Sequence, residues 1–271
     1  MDEHTHLPEI NQLSVLAATI LLAYALTPFI TIPAANLDLQ LPFGVFSFSF
    51  NFLTIVSVLV AALAGFGMDW LLHAHPHRAV RFPLLSSLLP ALTAWVIGIP
   101  LSSLTYGITW WGLFAMGGVL LVLVFVAEYI VVDFSDVRFG PAAAVLSALS
   151  FALFLILAIT VRASGLRLYL ALPALAAPLF LISMRTLYLG SGGRWNLPWA
   201  FCITAVVVQI ALALQYLPVS PLGYGLYLVG PAYALTRIGV MVEEGQPFRS
   251  VWLGPAVIMV ILLFVAVLLG G

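Results

Sequence analysis

Long apolar runs, interrupted at short intervals by clusters of Gly, Pro and charged residues, fill this chain from residue 12 to residue 270. A helix needs about 20 apolar residues to cross a bilayer. Nine runs are of that order: 12–32, 46–72, 82–100, 110–132, 142–160, 168–189, 199–217, 222–241 and 251–270. The pattern predicts an all-α, polytopic helical membrane protein with about nine transmembrane helices, forming a single integral membrane domain over 1–271. Pro83, Pro141, Pro198 and Pro255 recur 58, 57 and 57 residues apart, each shortly after an arginine and an aromatic residue. A period of that length holds two spans and their turns, so the helices are expected as repeated hairpins.

The punctuation itself has a physical reading. Proline suits the first turn of a helix, where its missing N–H has no partner anyway, and an aromatic at the headgroup level anchors a span end. The four motifs should mark the starts of spans three, five, seven and nine. The functional alternative is a ring of arginines that holds a ligand. Residues 41–50 break the pattern, because Phe46, Phe48 and Phe50 alternate. A lone strand cannot satisfy its backbone in lipid, so this segment is read as an interfacial lead-in to span two. Pro28, Pro90, Pro173, Pro178 and Pro231 fall within spans and predict kinks. Broken helices at matching places in a repeat are the alternative, since these can mark a transport site. Ala61 with Gly65, and Ala144 with Ala148, place small side chains on helical stripes suited to close packing.

Composition narrows the class. Hydrophobic residues make up 63% of 271 positions and charged ones 7%, against about 25% charged in soluble domains. The net charge is −1, and every basic residue is an arginine, which excludes a basic nucleic-acid surface. Cys202 has no intramolecular partner and is expected as a helix-packing residue. Residues 1–11 hold Asp2, Glu3 and Glu9 but no basic residue, so the first run is expected to remain as a span rather than serve as a cleaved signal. With a cytoplasmic N-terminus, seven arginines fall on the cytoplasmic side and only Arg162 and Arg167 opposite. That bias places the protein in the cell (inner) membrane, N-terminus inside and C-terminus outside.

Charges inside spans are costly and usually functional or paired. Asp69, Glu128, Arg185 and Arg237 lie near the ends of spans two, four, six and eight, and should share one layer. They are the candidates for binding a substrate or forming ion pairs, with Glu128 paired to Arg185 or Arg237. Snorkelling to the interface is the ordinary alternative for the arginines. His73, His75 and His77 are weak metal-ligand candidates, because their spacing matches no metal signature and Pro76 suits a simple turn. Asp69 and His73, four residues apart, should meet if the helix continues. Gly190-Ser191-Gly192-Gly193 reads as a turn rather than a phosphate cradle. Asp133, Asp136, Glu243 and Glu244 read as solvated loop acids. No catalytic motif appears, and no cofactor is expected.

Met68-Asp69-Trp70-Leu71-Leu72 with His75-Pro76, and Ala127-Glu128-Tyr129-Ile130-Val131-Val132-Asp133 with Val137-Arg138, resemble an uncharacterised bacterial family of multi-spanning membrane proteins. The resemblance implies the fold class and carries no activity. Three functions fit the sequence: a small-solute or ion transporter, a non-catalytic scaffold or accessory subunit of a membrane complex, and an intramembrane metalloenzyme. The expected partners are bilayer lipid and a membrane protein or a second copy of this chain.

Overall fold

A computed structural model of the protein describes residues 9–30, 35–41, 44–50, 52–73, 83–247 and 251–270. These residues form nine α-helices and one short β-hairpin. Seven helices are long and apolar enough to cross a membrane, while α3 and α9 contribute shorter apolar stretches at 86–98 and 253–269. The fold is the expected all-α assembly of hairpins, and it divides into two compact units, 1–136 and 137–271.

The first unit holds α1 (Ile10–Leu26), α2 (Phe52–His73), α3 (Pro83–Ser103) and α4 (Ile108–Ile130). Helix α2 packs against α1 and α3, and α4 against α1 and α3. Their shared core includes Ile20, Tyr24, Ala64, Met68, Leu71, Leu121 and Phe125. The Tyr24 hydroxyl donates to the Ala94 carbonyl at 2.6 Å and shares a hydrogen bond with Ser57, tying three helices through one buried phenol. At the end where α1 stops and α4 starts, Phe29, Tyr106, Trp110, Trp111 and Phe114 form a chain of ring contacts. Such a cluster suits a membrane–water interface.

Two sequence expectations need correction here. The first span is shifted from 12–32: it runs Ile10–Phe29, with α1 ending at Leu26 and Pro28 in a 3₁₀ turn over Thr27–Phe29, while residues 31 and 32 lie outside the described residues. The second does not start at 46, because Gly44–Phe50 is a strand, β2, paired antiparallel with β1 (Ala35–Leu41). The register sets Phe46, Phe48 and Phe50 opposite Leu39, Leu37 and Ala35. The strand is not alone: β1 pairs with it along one edge.

The second unit holds α5 (Phe139–Ala163), α6 (Leu168–Gly190), α7 (Leu197–Gln215), α8 (Pro221–Glu243) and α9 (Leu253–Gly270). Helix α8 is its axis, packing against all four others. Glycines make that possible, since a Cβ on Gly225 would lie 2.8 Å from Leu155 Cδ1. Helices consecutive in the chain alternate in direction. Arg162, at the end of α5, donates to Gln215 O at 3.2 Å and Leu217 O at 2.9 Å, at the end of α7. Ser220, before α8, reaches Leu269 O near the end of α9. The recurrent prolines fall where the repeat predicted, at positions one, three, two and three of α3, α5, α7 and α9.

Apart from Pro28, the in-span prolines interrupt no helix, and Pro90 lies within α3. Pro173 and Pro178 lie inside an unbroken α6, and Pro231 inside an unbroken α8. Of the two small-residue stripes, Gly65 does approach α3, with Ala91 and Ser87 within 3.6–3.9 Å of a Cβ built there. Ala144 and Ala148 instead face outward, as does Cys202 on α7, so neither feature packs helices within the chain. Gly190 offers a test of the close contacts. An added Cβ would collide with Val240, whereas one on Gly112 would meet nothing within 4 Å. Val is stiff about χ1 and cannot step aside. Gly190→Ala should therefore lower stability by about 1–3 kcal/mol, and Gly112→Ala should hold or raise it, as read from thermal unfolding in detergent.

Candidate functional site

The in-span charges can be placed level by level from the glycine contacts. In the first unit, Ser57 lies against Gly98, and Gly65 against Ser87 and Ala91, so antiparallel partners on α2 and α3 have residue numbers summing to 152–156. Ile97 lies against Gly117, giving 214 for α3 and α4. Asp69 is thus level with α3 residues 83–87, and these with α4 residues 127–131. Glu128 falls in that window. Asp69 and Glu128 share a level within their unit.

Their surroundings differ. Glu128 is 0% exposed, flanked along α4 by the buried Val124, Phe125, Ala127 and Tyr129. Asp69 is part-buried near the end of α2, and the His73 ring sits beside it as i,i+4 spacing predicts. His73 Nδ1 lies 2.7 Å from the Asp69 carbonyl and 3.7 Å from its carboxylate. His75 and His77 lie outside the described residues. Among the described residues no three His, Cys, Asp or Glu side chains gather into a metal-binding group.

In the second unit, α6 and α8 run parallel, both ending beside the start of α7. Leu187 meets Gly239 and Gly190 meets Val240, offsets of 52 and 50 residues. Arg185 is therefore level with residues 235–237, which include Arg237. Arg185 is 9% exposed, and its guanidinium lies over the Tyr188 ring at 5.7 Å from the centroid. Tyr188 in turn meets the Trp195 ring at a 35° tilt, with centroids 4.5 Å apart. Arg237 is half-buried and makes no hydrogen bond or ion pair among the described residues.

A sequence profile built on proteins of unknown function under the label DUF5656 matches residues 32–269. The chain belongs to the DUF5656 family. The match takes in α2 to α9 and begins after α1. No curated protein and no solved structure matches. Family membership agrees with the resemblance to an uncharacterised family and brings no activity, so the chemistry of this DUF5656 protein must be argued from its own residues.

Several polar roles escaped the sequence reading. Asn196 caps α7, accepting from Trp199 N at 3.3 Å, while its amide donates to the Glu243 carboxylate. Arg194 donates to the Glu243 carbonyl at 3.3 Å. Glu243 was expected as a solvated acid; it instead ties the α6–α7 turn to the end of α8. Asn followed by Leu-Pro was a readable cap signal. The glycine-rich segment terminates α6, with Gly192 and Gly193 at φ of 65° and 87° and Gly193 N bonded to Tyr188 O at 2.9 Å. Arg162, counted only as a charge on the opposite side, satisfies carbonyls at the end of α7 and lies over the Tyr224 ring at 5.4 Å. A cation suits a helix C-terminus. Asp133 closes its own turn by accepting from Ser135 N and Oγ at 2.9 and 2.6 Å.

The Asn196 tie yields a prediction. Asn196→Ala removes both a helix cap and the partner of Glu243, and should cost about 1–2 kcal/mol. Thermal unfolding beside the exposed-site control Gln246→Ala measures it. Equal shifts in the two variants would show that the tie adds nothing.

Proposed function

We propose that this protein is a membrane carrier for a small solute or ion, and that Glu128 is its essential ionisable group. The observation supporting this reading is the complete burial of Glu128 in an apolar stretch of α4. Ionisable groups within spans are costly to insert and characteristically mark substrate or proton pathways. Asp69, Arg185 and Arg237 are the other proposed substrate or ion-pair residues. Asp69 is level with Glu128 in the first unit, and the two arginines are level with each other in the second. The proposed setting is the cell (inner) membrane, with the N-terminus in the cytoplasm and the C-terminus outside, on the arginine bias between alternate turns.

An accessory subunit of a membrane complex is the second reading, and α9 favours it. From Leu253 to Gly270 it carries no charged or hydrogen-bonding side chain, and Val257, Val260, Ile261, Phe264, Val267 and Leu268 are exposed. A face of that kind suits either lipid or a partner's helix.

Proteoliposomes loaded with a pH-sensitive dye separate the two readings. Gradients of amino acids, sugars and inorganic ions are imposed in turn on wild-type protein and Glu128→Gln. The carrier reading expects at least one gradient to move protons or solute in the wild type, and expects Glu128→Gln to abolish that flux while inserting normally. Equal flux in both proteins removes the carboxylate from the mechanism. Absence of flux with every gradient favours the accessory subunit.

A further inference from the structure

We infer that Ser183 and Thr236 hold a single water molecule inside the second unit, between the parallel helices α6 and α8. This goes beyond the carrier reading and does not depend on it. Ser183 is 0% exposed, and its Oγ has no hydrogen-bond partner among the described residues. Its neighbours behave otherwise. The buried hydroxyls of Ser150, Thr204 and Thr236 each donate to the carbonyl one turn earlier, at 2.7–2.8 Å. A buried hydroxyl without a partner is costly, and ordered water is the usual remedy in folded proteins.

The helix register says what Ser183 faces. On α6, Ser183, Leu187 and Gly190 form one stripe at i, i+4 and i+7, and the last two touch α8 at Gly239 and Val240. The matching stripe of α8 is Ala232, Thr236 and Gly239–Val240. Offsets of 50–52 residues bring Ser183 level with 233–235, between Ala232 and Thr236. Both of these are 0% exposed. Ser183 therefore lies on the stripe of α6 that faces α8, at a level between one small side chain and one hydroxyl.

Hydrogen-bond accounting selects the occupant. The Thr236 proton is already given to the Ala232 carbonyl at 2.7 Å, so Thr236 offers lone pairs only. Ser183 offers one proton and two lone pairs. An anion would find a single donor and the Thr236 lone pairs against it. A cation would lie at nearly the level of Arg185 and Arg237, while the spans of this unit contain no acid before Glu243 at the end of α8. Water meets both demands, accepting from Ser183 and donating to Thr236.

Radiolytic labelling of the purified full-length protein in detergent tests the assignment. A brief X-ray pulse in ¹⁸O-enriched solvent oxidises side chains beside trapped water, and slow exchange leaves ¹⁶O in their products. Wild type should show ¹⁶O-containing oxidation at Met184 or Leu187. Ser183→Ala and Thr236→Val should each lose it, and Ser183→Thr, which keeps the hydroxyl, should retain it. If a variant fails to fold, the remaining variants and the wild-type isotope pattern still decide. Absence of protected oxidation in wild type overturns the inference, and leaves Ser183 bonded back to the Leu179 carbonyl like its neighbours. Persistence of the signal in Ser183→Ala overturns it as well.

Discussion

A peptide group in hydrocarbon has no water to bond to, so every backbone N–H and C=O must find its partner within the chain. That one constraint accounts for most of what is seen here. It makes the long apolar runs helical, and it concentrates irregular backbone in the turns between them. The alternating segment 44–50 is the exception, paired with 35–41 along one edge only. Where a turn must occur, side chains take over the accounting: Arg162 serves the end of α7, Asn196 the start of the same helix, and Asp133 its own loop. These three side chains are spent on backbone groups that the helices leave open.

Packing then fixes depth. Without a hydrophobic force between helices in lipid, close approach and dispersion hold them together. Glycine is what lets α8 sit at the centre of the second unit. The same glycine contacts lock the register of neighbouring helices, and register converts sequence position into level. Asp69 with Glu128, and Arg185 with Arg237, reach common levels in their units because of it. Charge placement is thus a consequence of small residues several turns away, which is a reason to regard the glycine seams and the charged sites as one design.

The legible part of this fold was the part governed by long-range averages. Nine helices, their approximate limits and the proline-marked starts all follow from apolar runs and one spacing. The Asp69–His73 contact followed from i,i+4 geometry. What the pattern could not carry was anything decided by a partner distant in sequence. The pairing of β2 depends on residues 35–41, which look like ordinary loop. Glu243 looked solvated because nothing nearby in sequence engages it, and its partner Asn196 is 47 residues away. Ala144 and Ala148 matched a packing pattern yet face outward, since a small-residue stripe names a surface without naming its neighbour. Ser183 was invisible for the same reason: only the α6–α8 register distinguishes it from any other serine in an apolar run.

The central claim is that the helices cross a bilayer as hairpins returning to a common face, and side-specific thiol labelling tests it most directly. In a Cys202→Ser background, single cysteines at Gly192 and Glu244 mark the ends of α6 and α8. Single cysteines at Ser164 and Val219 mark the ends of α5 and α7. An impermeant maleimide applied to intact cells should label the second pair, and should reach the first pair only after the membrane is opened. Labelling of Gly192 and Glu244 from opposite sides, or of all four positions from one side, would contradict the account.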